Sequence, residues 1–300
     1  MRMKMFVGIV SATILFGDVV PTLESKGGAI IPPQGKTKLD IKSINFERNS
    51  MFNGSSEVNN NESLNADANI LIFGLNYGLS ENTSIGVVVP YKNLQASAKL
   101  GNNNVALDNT GIGDVLLLAR HVVVPMSENS MQIAIDFGIK LPTGSTDSNF
   151  KQAPAFAQNV YTPLPTQMGT GEFEYKFGIG ATKIIDQSLR IDSNLAYTYR
   201  PKAENNYDFG NEISFVVGAA KSLNDKINIG LDYSLTHNSS TNMGSDTNAQ
   251  LRAMLPFKAF SGTVGYVTPQ IQYLPFGKPK VYLSGGVSFF GHYDFSEYPP

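Results

Sequence analysis

The fold class predicted for this chain is all-β, an up-and-down antiparallel transmembrane β-barrel of about twelve strands. Three observations predict it: long segments of strict apolar/polar alternation, connections that alternate between short and long, and an N-terminal apolar run of export-signal length. The alternation is clearest at residues 131–141. There Met131, Ile133, Ile135, Phe137, Ile139 and Leu141 interleave with Gln132, Ala134, Asp136, Gly138 and Lys140. Such a segment is a strand with one apolar and one polar face. Alone it does not say which face is inside.

At the N-terminus, Arg2 and Lys4 precede an apolar run from Met5 to Phe16. The run suits the core of a signal peptide and is too short to cross a bilayer as a helix. Residues 1–27 are therefore expected to be a leader, cut somewhere in 17–28, and residues 28–300 the barrel. A buried N-terminal strand is the alternative. The segment from Asp18 to Gln34 reads either as a lumen plug or as a plain leader.

A first strand is expected at 36–47, where the apolar phase switches between Ile41 and Ile44 and suggests a bulge. Further strands are expected at 67–79, 84–96, 113–124, 131–141, 171–183, 189–200, 211–221, 227–237, 264–273 and 281–290. Bacterial single-chain barrels close with an even number of strands, so a twelfth is needed. Residues 249–259 (AQLRAMLPFKA) are preferred over the tail 292–298, because both termini then fall on the periplasmic side.

Between these strands, GLSEN, PMSENS, IDQS and SLNDK are tight and polar, whereas segments such as LGNNNVALDNTG and the stretch from Thr143 to Gly171 are long. Short turns at one end and long loops at the other are the signature of an outer-membrane meander. About ten residues at roughly 3.3 Å each, tilted by about 40°, cover roughly 25 Å, the height of the apolar band. Soluble sandwich strands are usually shorter. A soluble calycin-like barrel remains the rival for a shorter chain. Trp is absent, so Tyr77, Tyr91, Tyr197, Tyr199, Tyr233 and Tyr273 are expected to form the interfacial girdle.

Composition narrows the function classes. A net charge of −2 offers no basic surface for nucleic acid, and the absence of Cys removes thiol nucleophiles and Cys-ligated metal. No cofactor and no metal site are expected. The partners expected are outer-membrane lipid and a small-molecule solute, and the oligomeric state is not legible in the sequence.

With the apolar phase against lipid, the opposite phase carries Asp114, Arg120, Asp136, Lys140, Glu172, Glu174, Lys176, Arg190, Asp192, Arg200 and Asp232 towards the lumen. A charge on the lipid face would cost about 2–4 kcal/mol at the midplane. These residues either tune permeation through a polar conduit or form a network that fills the barrel. In the longest loop, Phe150, Phe156 and Tyr161 offer an aromatic lid; the plainer reading is a proline-stiffened surface loop.

GIGDVLLLARHVVVP (111–125), a short turn and IAIDFGIKLPTGSTD (133–147) resemble the outer-membrane transporter family known for the MetA-pathway of phenol degradation. MGTGEFEYKFGIGATK (168–183) and YVTPQIQYLP (266–275) are similar to the family as well, and the resemblance covers roughly 30–290. It implies an outer-membrane channel for passive passage of small solutes, apolar or aromatic among them, and no enzymatic activity. The chain departs from the pattern at His121, where relatives carry an aromatic, and in a shorter last segment. The alternative functions are a lipid-acting outer-membrane enzyme built on His237 and Ser239, or a plugged structural barrel.

Overall fold

The computed structural model describes residues 5–12, 28–48, 51–53, 56–59, 63, 65–100, 102–126, 131–155, 160–186, 188–203, 207–239, 262–276 and 281–295. Its strands are β1 (Met5–Ala12), β2 (Thr37–Arg48), β3 (Met51–Asn53), β4 (Ser56–Val58), β5 (Asn65–Gly78), β6 (Thr83–Leu100), β7 (Asn103–Ile112) and β8 (Val115–Val124). They continue as β9 (Gln132–Leu141), β10 (Glu174–Asp186), β11 (Leu189–Tyr199), β12 (Glu212–Asn224), β13 (Ile227–Asn238), β14 (Gly262–Tyr273) and β15 (Val281–Phe295). Apart from the small β3–β4 hairpin, they form one thirteen-stranded antiparallel sheet.

The hydrogen-bonded order is β5-β2-β1-β15-β14-β13-β12-β11-β10-β9-β8-β6-β7, and β5 also pairs with β6. That last pairing joins the two sides of the order, so the ring closes. β7 pairs only with the outer part of β6, which leaves twelve strands in the ring. Closure satisfies every strand edge within the wall, the condition for a sheet to stand in hydrocarbon. Among the described residues no helix is long and apolar enough to cross a membrane.

The strand that completes the twelve is β1, set between β2 and β15. Residues 249–259 lie outside the described residues, while β13 and β14 pair directly from Ile227↔Tyr273 to Asn238↔Gly262. The tail residues up to Phe295 continue β15 rather than adding a strand. Phe295 consequently lies at the long-loop end, which corrects the expectation of a periplasmic C-terminal side, whereas Gly28, where the expected barrel begins, lies at the short-turn end.

The outward phase is the apolar one over the central wall: Ile135, Phe137, Phe177, Ile179, Leu195, Phe215 and Leu231 are all exposed. Their inward neighbours Gln132, Ala134, Thr182, Asp192, Asn194 and Asp232 are buried. The six girdle tyrosines are exposed on the outer face at 37–46 %. Phe137 and Phe177 meet across strands with ring centroids 5.4 Å apart.

The expected bulge in the first strand is absent. β2 and β5 pair without interruption from Thr37↔Tyr77 to Arg48↔Ala66. The phase switch instead marks an inversion of the two faces. Below Ile41↔Phe73 the outer face is apolar. Above it the same face carries Ser43 opposite Leu71 and then Asn45 and Glu47 opposite Asn69 and Asp67, while Ile44, Phe46, Ile70 and Ile72, the last beside Lys42, turn inward. β6 and β7 continue the pattern, with Asn93, Gln95, Asp108 and Thr110 outward and Leu94, Val105 and Leu107 inward.

β6 has 18 residues, and at roughly 3.3 Å each with a tilt of about 40° it rises roughly 45 Å, well above a 25 Å apolar band. The upper β2, β5, β6 and β7 thus form a turret in water. β7 went unrecognised in the sequence because its alternation is modest and lies within Asn-rich residues.

Phe177→Lys, on the lipid face, is expected to lower barrel stability by about 2–4 kcal/mol in urea titrations in lipid vesicles. Gln95→Lys, on the outer face of the turret, is expected to change it by less than about 0.5 kcal/mol.

Candidate functional site: the lumen and its mouth

The inward charges form tiers. At the long-loop end, Arg200 Nη2 donates to Glu212 Oε2 at 2.7 Å and Arg200 Nε lies 3.4 Å from Glu174 Oε2. Glu174 Oε1 accepts Lys140 at 3.0 Å, and Lys140 also pairs with Asp114. One level down, Arg120 grips Asp136 through two bonds of 2.6 and 2.8 Å, and Asn194 Nδ2 donates to the same carboxylate. Near the short-turn end, Arg190 holds Asp192 through bonds of 2.7 and 2.9 Å with both residues 1 % exposed, and Thr182 Oγ1 donates to Asp192. Asp232 accepts Gln270 Nε2 at 2.7 Å on β13–β14. Glu172 lies in the loop ahead of β10 and Lys176 inside β10; neither has an ion pair among the described residues.

Asp114 explains the Gly-x-Gly-Asp and Leu-Pro-Thr-Gly elements. Its carboxylate accepts the backbone N–H of Gly144 at 2.9 Å and of Thr170 at 3.0 Å, besides Lys140. Both ends of the longest loop are therefore pinned to the start of β8. The two strands of the loop pass so closely that a Cβ on Gly144 would lie 2.6 Å from Gly169 N. Between these ends the loop folds back on β7. Asn109 Nδ2 donates to Thr162 Oγ1 and Thr166 O, and Gln167 Nε2 donates to Ser148 O and Thr162 O.

Val105, Ala203 and Tyr207 form an extracellular core, with Phe150, Val160, Leu164 and Phe209 packed against it. Burial pushes the Tyr207 phenol pKa up. On the outside, the Lys151 ammonium bonds Asp108 at 2.7 Å and holds its carboxyl below the ordinary range. The loop aromatics separate: Phe150 joins the core, Tyr161 is exposed, and Phe156 lies outside the described residues.

A strap crosses the lumen at the short-turn end. Ala29 N donates to Thr182 Oγ1 at 2.9 Å, Gln132 Nε2 donates to Ala29 O at 2.9 Å, and Arg120 Nη1 reaches Ile30 O at 3.3 Å. Ala29 packs with Val122 and Ala134. At its other side, Gly35 N donates to Gly78 O at 2.8 Å. A Cβ at Gly180 would stand 2.5 Å from Gly28 O, so the absent side chain makes room for the strap.

The sequence reading missed the apolar part of the lumen. Leu116 and Leu118 share the inward phase of β8 with Arg120, and Leu116 pairs with Val88 on β6. Pro90 faces Ile72 there, and Ile70 faces Ile44. These side chains line the inner wall of β8, β6, β5 and β2 from mid-lumen to the mouth, in phase with Lys42 opposite Ile72 and Lys92 opposite Ile70, and face the ionic tiers of β9 to β12. The signal was present: VLLLARHVVV is apolar in both phases, as a wall greasy on both sides must be.

His237 and Ser239 are engaged elsewhere. His237 Nδ1 bonds Thr263 Oγ1 at 2.9 Å, and Ser239 Oγ accepts Asn211 N at 2.7 Å. His121, also on the outer face, bonds Thr83 Oγ1 at 2.9 Å. Among the described residues there is no cluster of side chains fit to hold a metal ion.

A closed ring with an apolar outer face defines a transmembrane β-barrel of the outer-membrane type. The chain belongs to the family described as "Putative MetA-pathway of phenol degradation", whose model matches residues 50–290. No curated protein matches it. In fold it is similar to the COG4313 outer membrane channel from Pseudomonas putida F1, with a TM-score of 0.50, 10 % identity, and 96 % and 95 % of the two chains covered. The P. putida toluene transporter TodX is more distant, with a TM-score of 0.41, 8 % identity and coverage of 99 % and 90 %.

Two outcomes are expected. Gly180→Val displaces the strap and raises single-channel conductance in planar bilayers at least severalfold. Asp114→Ala strands Lys140 and frees both loop ends, a change of about 3–5 kcal/mol locally; protease cleavage within 142–171 should then rise at least tenfold while the barrel keeps its heat-modifiable gel mobility.

Proposed function

We propose that the protein is a channel for passive passage of small apolar, aromatic solutes across the outer membrane, without chemistry on them. The observation that carries this reading is the apolar stripe on the inner wall, from Ile44 and Ile70 at the mouth to Leu118 at mid-lumen. An aromatic solute leaving water gains about 25 cal/mol for each Å² of apolar surface covered. A wall that is mainly apolar on one side, with Lys42 and Lys92 set among its aliphatic side chains, and ion-paired on the other gives such a solute a track without trapping it on all sides. The strap lies across the bottom of that track and sets its narrowest point. The solutes named for the similar structures, toluene for TodX among them, agree with this class.

We also propose that residues 1–27 are an export leader and that residues 28–34, the strap, begin the mature chain; cleavage would then take β1 out of the wall and leave β2 and β15 to pair with each other in a ring of eleven strands. N-terminal sequencing of protein recovered from outer membranes tests this. A first residue between 17 and 28 supports the leader; an intact Met1 start makes β1 a permanent wall strand and refutes it.

For the channel itself, uptake of labelled toluene by cells with an intact lipopolysaccharide outer membrane is the test. The protein is expected to raise the initial rate severalfold, and Ile72→Glu with Leu118→Glu to return it to the empty-vector level. Uptake unchanged by the double substitution, or no gain from the protein, would refute the proposal.

A further inference from the structure

We infer that Lys176 is the polar end of a lumen site that takes a small aromatic carboxylate. The inference rests on the channel reading above and narrows its solute class. Lys176 stands on the inward phase of β10, level with Gly138 of β9 and Thr198 of β11. A Cβ built on Gly138 would meet Leu118 Cδ2 at 3.0 Å, Leu116 Cδ1 at 3.3 Å and Lys176 Cβ at 3.3 Å. The lysine stem and the two leucines therefore converge over a glycine floor. Gly178 and Ala196, the next inward positions on β10 and β11, carry no bulk either. Leu116 and Leu118 already occupy the space over Gly138, so the shallow notch is the low ground over Gly178 and Ala196, with the leucines and the Lys176 stem along its edge.

What distinguishes Lys176 from its neighbours is charge bookkeeping. Above it, Glu174 gives one oxygen to Lys140 and the other to Arg200. Below it, Asp136 gives both oxygens to Arg120 and one also to Asn194. Among the described residues, Lys176 has neither an ion pair nor a hydrogen bond from its side chain. A cation confined to a narrow lumen is costly without a counter-charge, and here the two adjacent inward carboxylates, Glu174 and Asp136, are committed, while Glu172 lies in the loop ahead of the strand. A carboxylate on a flat apolar ring satisfies both halves of the notch: its oxygens accept charge-assisted hydrogen bonds from the ammonium, and its ring covers Leu116 and Leu118. A neutral hydrocarbon satisfies only the leucines.

Benzoate and its neutral near-isostere benzamide are the probes, titrated into detergent-solubilised full-length protein at neutral pH. The wild type is expected to bind benzoate about tenfold more tightly than benzamide. Lys176→Met is expected to abolish the preference while leaving benzamide affinity within about twofold, and Lys176→Arg to restore it. Each variant is checked for heat-modifiable mobility, so loss of folding is separable from loss of recognition. A preference that survives Lys176→Met, or a wild type that binds benzamide as well as benzoate, overturns the inference. Either result leaves the channel standing if toluene uptake persists; loss of toluene uptake as well would refute the channel reading instead.

Discussion

The constraint on which the structure depends is that hydrocarbon offers no hydrogen-bond partner to a peptide group. Each N–H and C=O within the bilayer must be paired inside the wall, and a sheet achieves this only by closing. Here closure is made by the pairing of β5, the first strand of the linear order, with β6 near its other end. Everything else follows from that ring: which phase meets lipid, which charges can be tolerated, and where the loops gather.

Closure alone would permit an inert barrel. Two features make the interior more than packing. The first is the sorting of the inner face into ionic tiers on β9 to β12 and an apolar stripe on β8, β6, β5 and β2. The second is the pair of backbone devices at the two ends. Asp114 pins the long loop over the mouth, and the strap from Gly28 to Gln34 is seated by Thr182, Gln132 and Gly180. Glycines serve both devices for one reason: backbone passes backbone too closely for a Cβ.

Much of this was legible in the sequence, because an alternating strand announces its two faces residue by residue. Ile135, Phe137 and Ile179 could be assigned outward and Asp136 and Lys140 opposite them once strand length and the alternation of short and long connections were added to the period. Three things were not legible. The rule that apolar means lipid fails above the bilayer, so the switch between Ile41 and Ile44 reads as a bulge where the chain simply leaves the membrane. The same rule hid Leu116 and Leu118, which sit in phase with Arg120. Long-range seating was invisible as well, since nothing near Ala29 in sequence points to Thr182, 153 residues away. The charged residues could be listed but not paired: Arg190 with Asp192 is local, whereas Arg120 with Asp136 and Arg200 with Glu174 depend on register.

Along one continuous strand, β2, the outward phase changes from apolar to polar at the bilayer surface. The chain has no cysteine, so single cysteines can be placed along β2 and β9, spin-labelled, and read in lipid vesicles for oxygen against nickel-chelate accessibility. On β9, positions 133, 135, 137 and 139 are expected to be oxygen-accessible. On β2, positions 39 and 41 are expected to be oxygen-accessible and positions 43, 45 and 47 nickel-accessible. Lipid exposure persisting through position 47, or nickel access at position 135, would contradict the account.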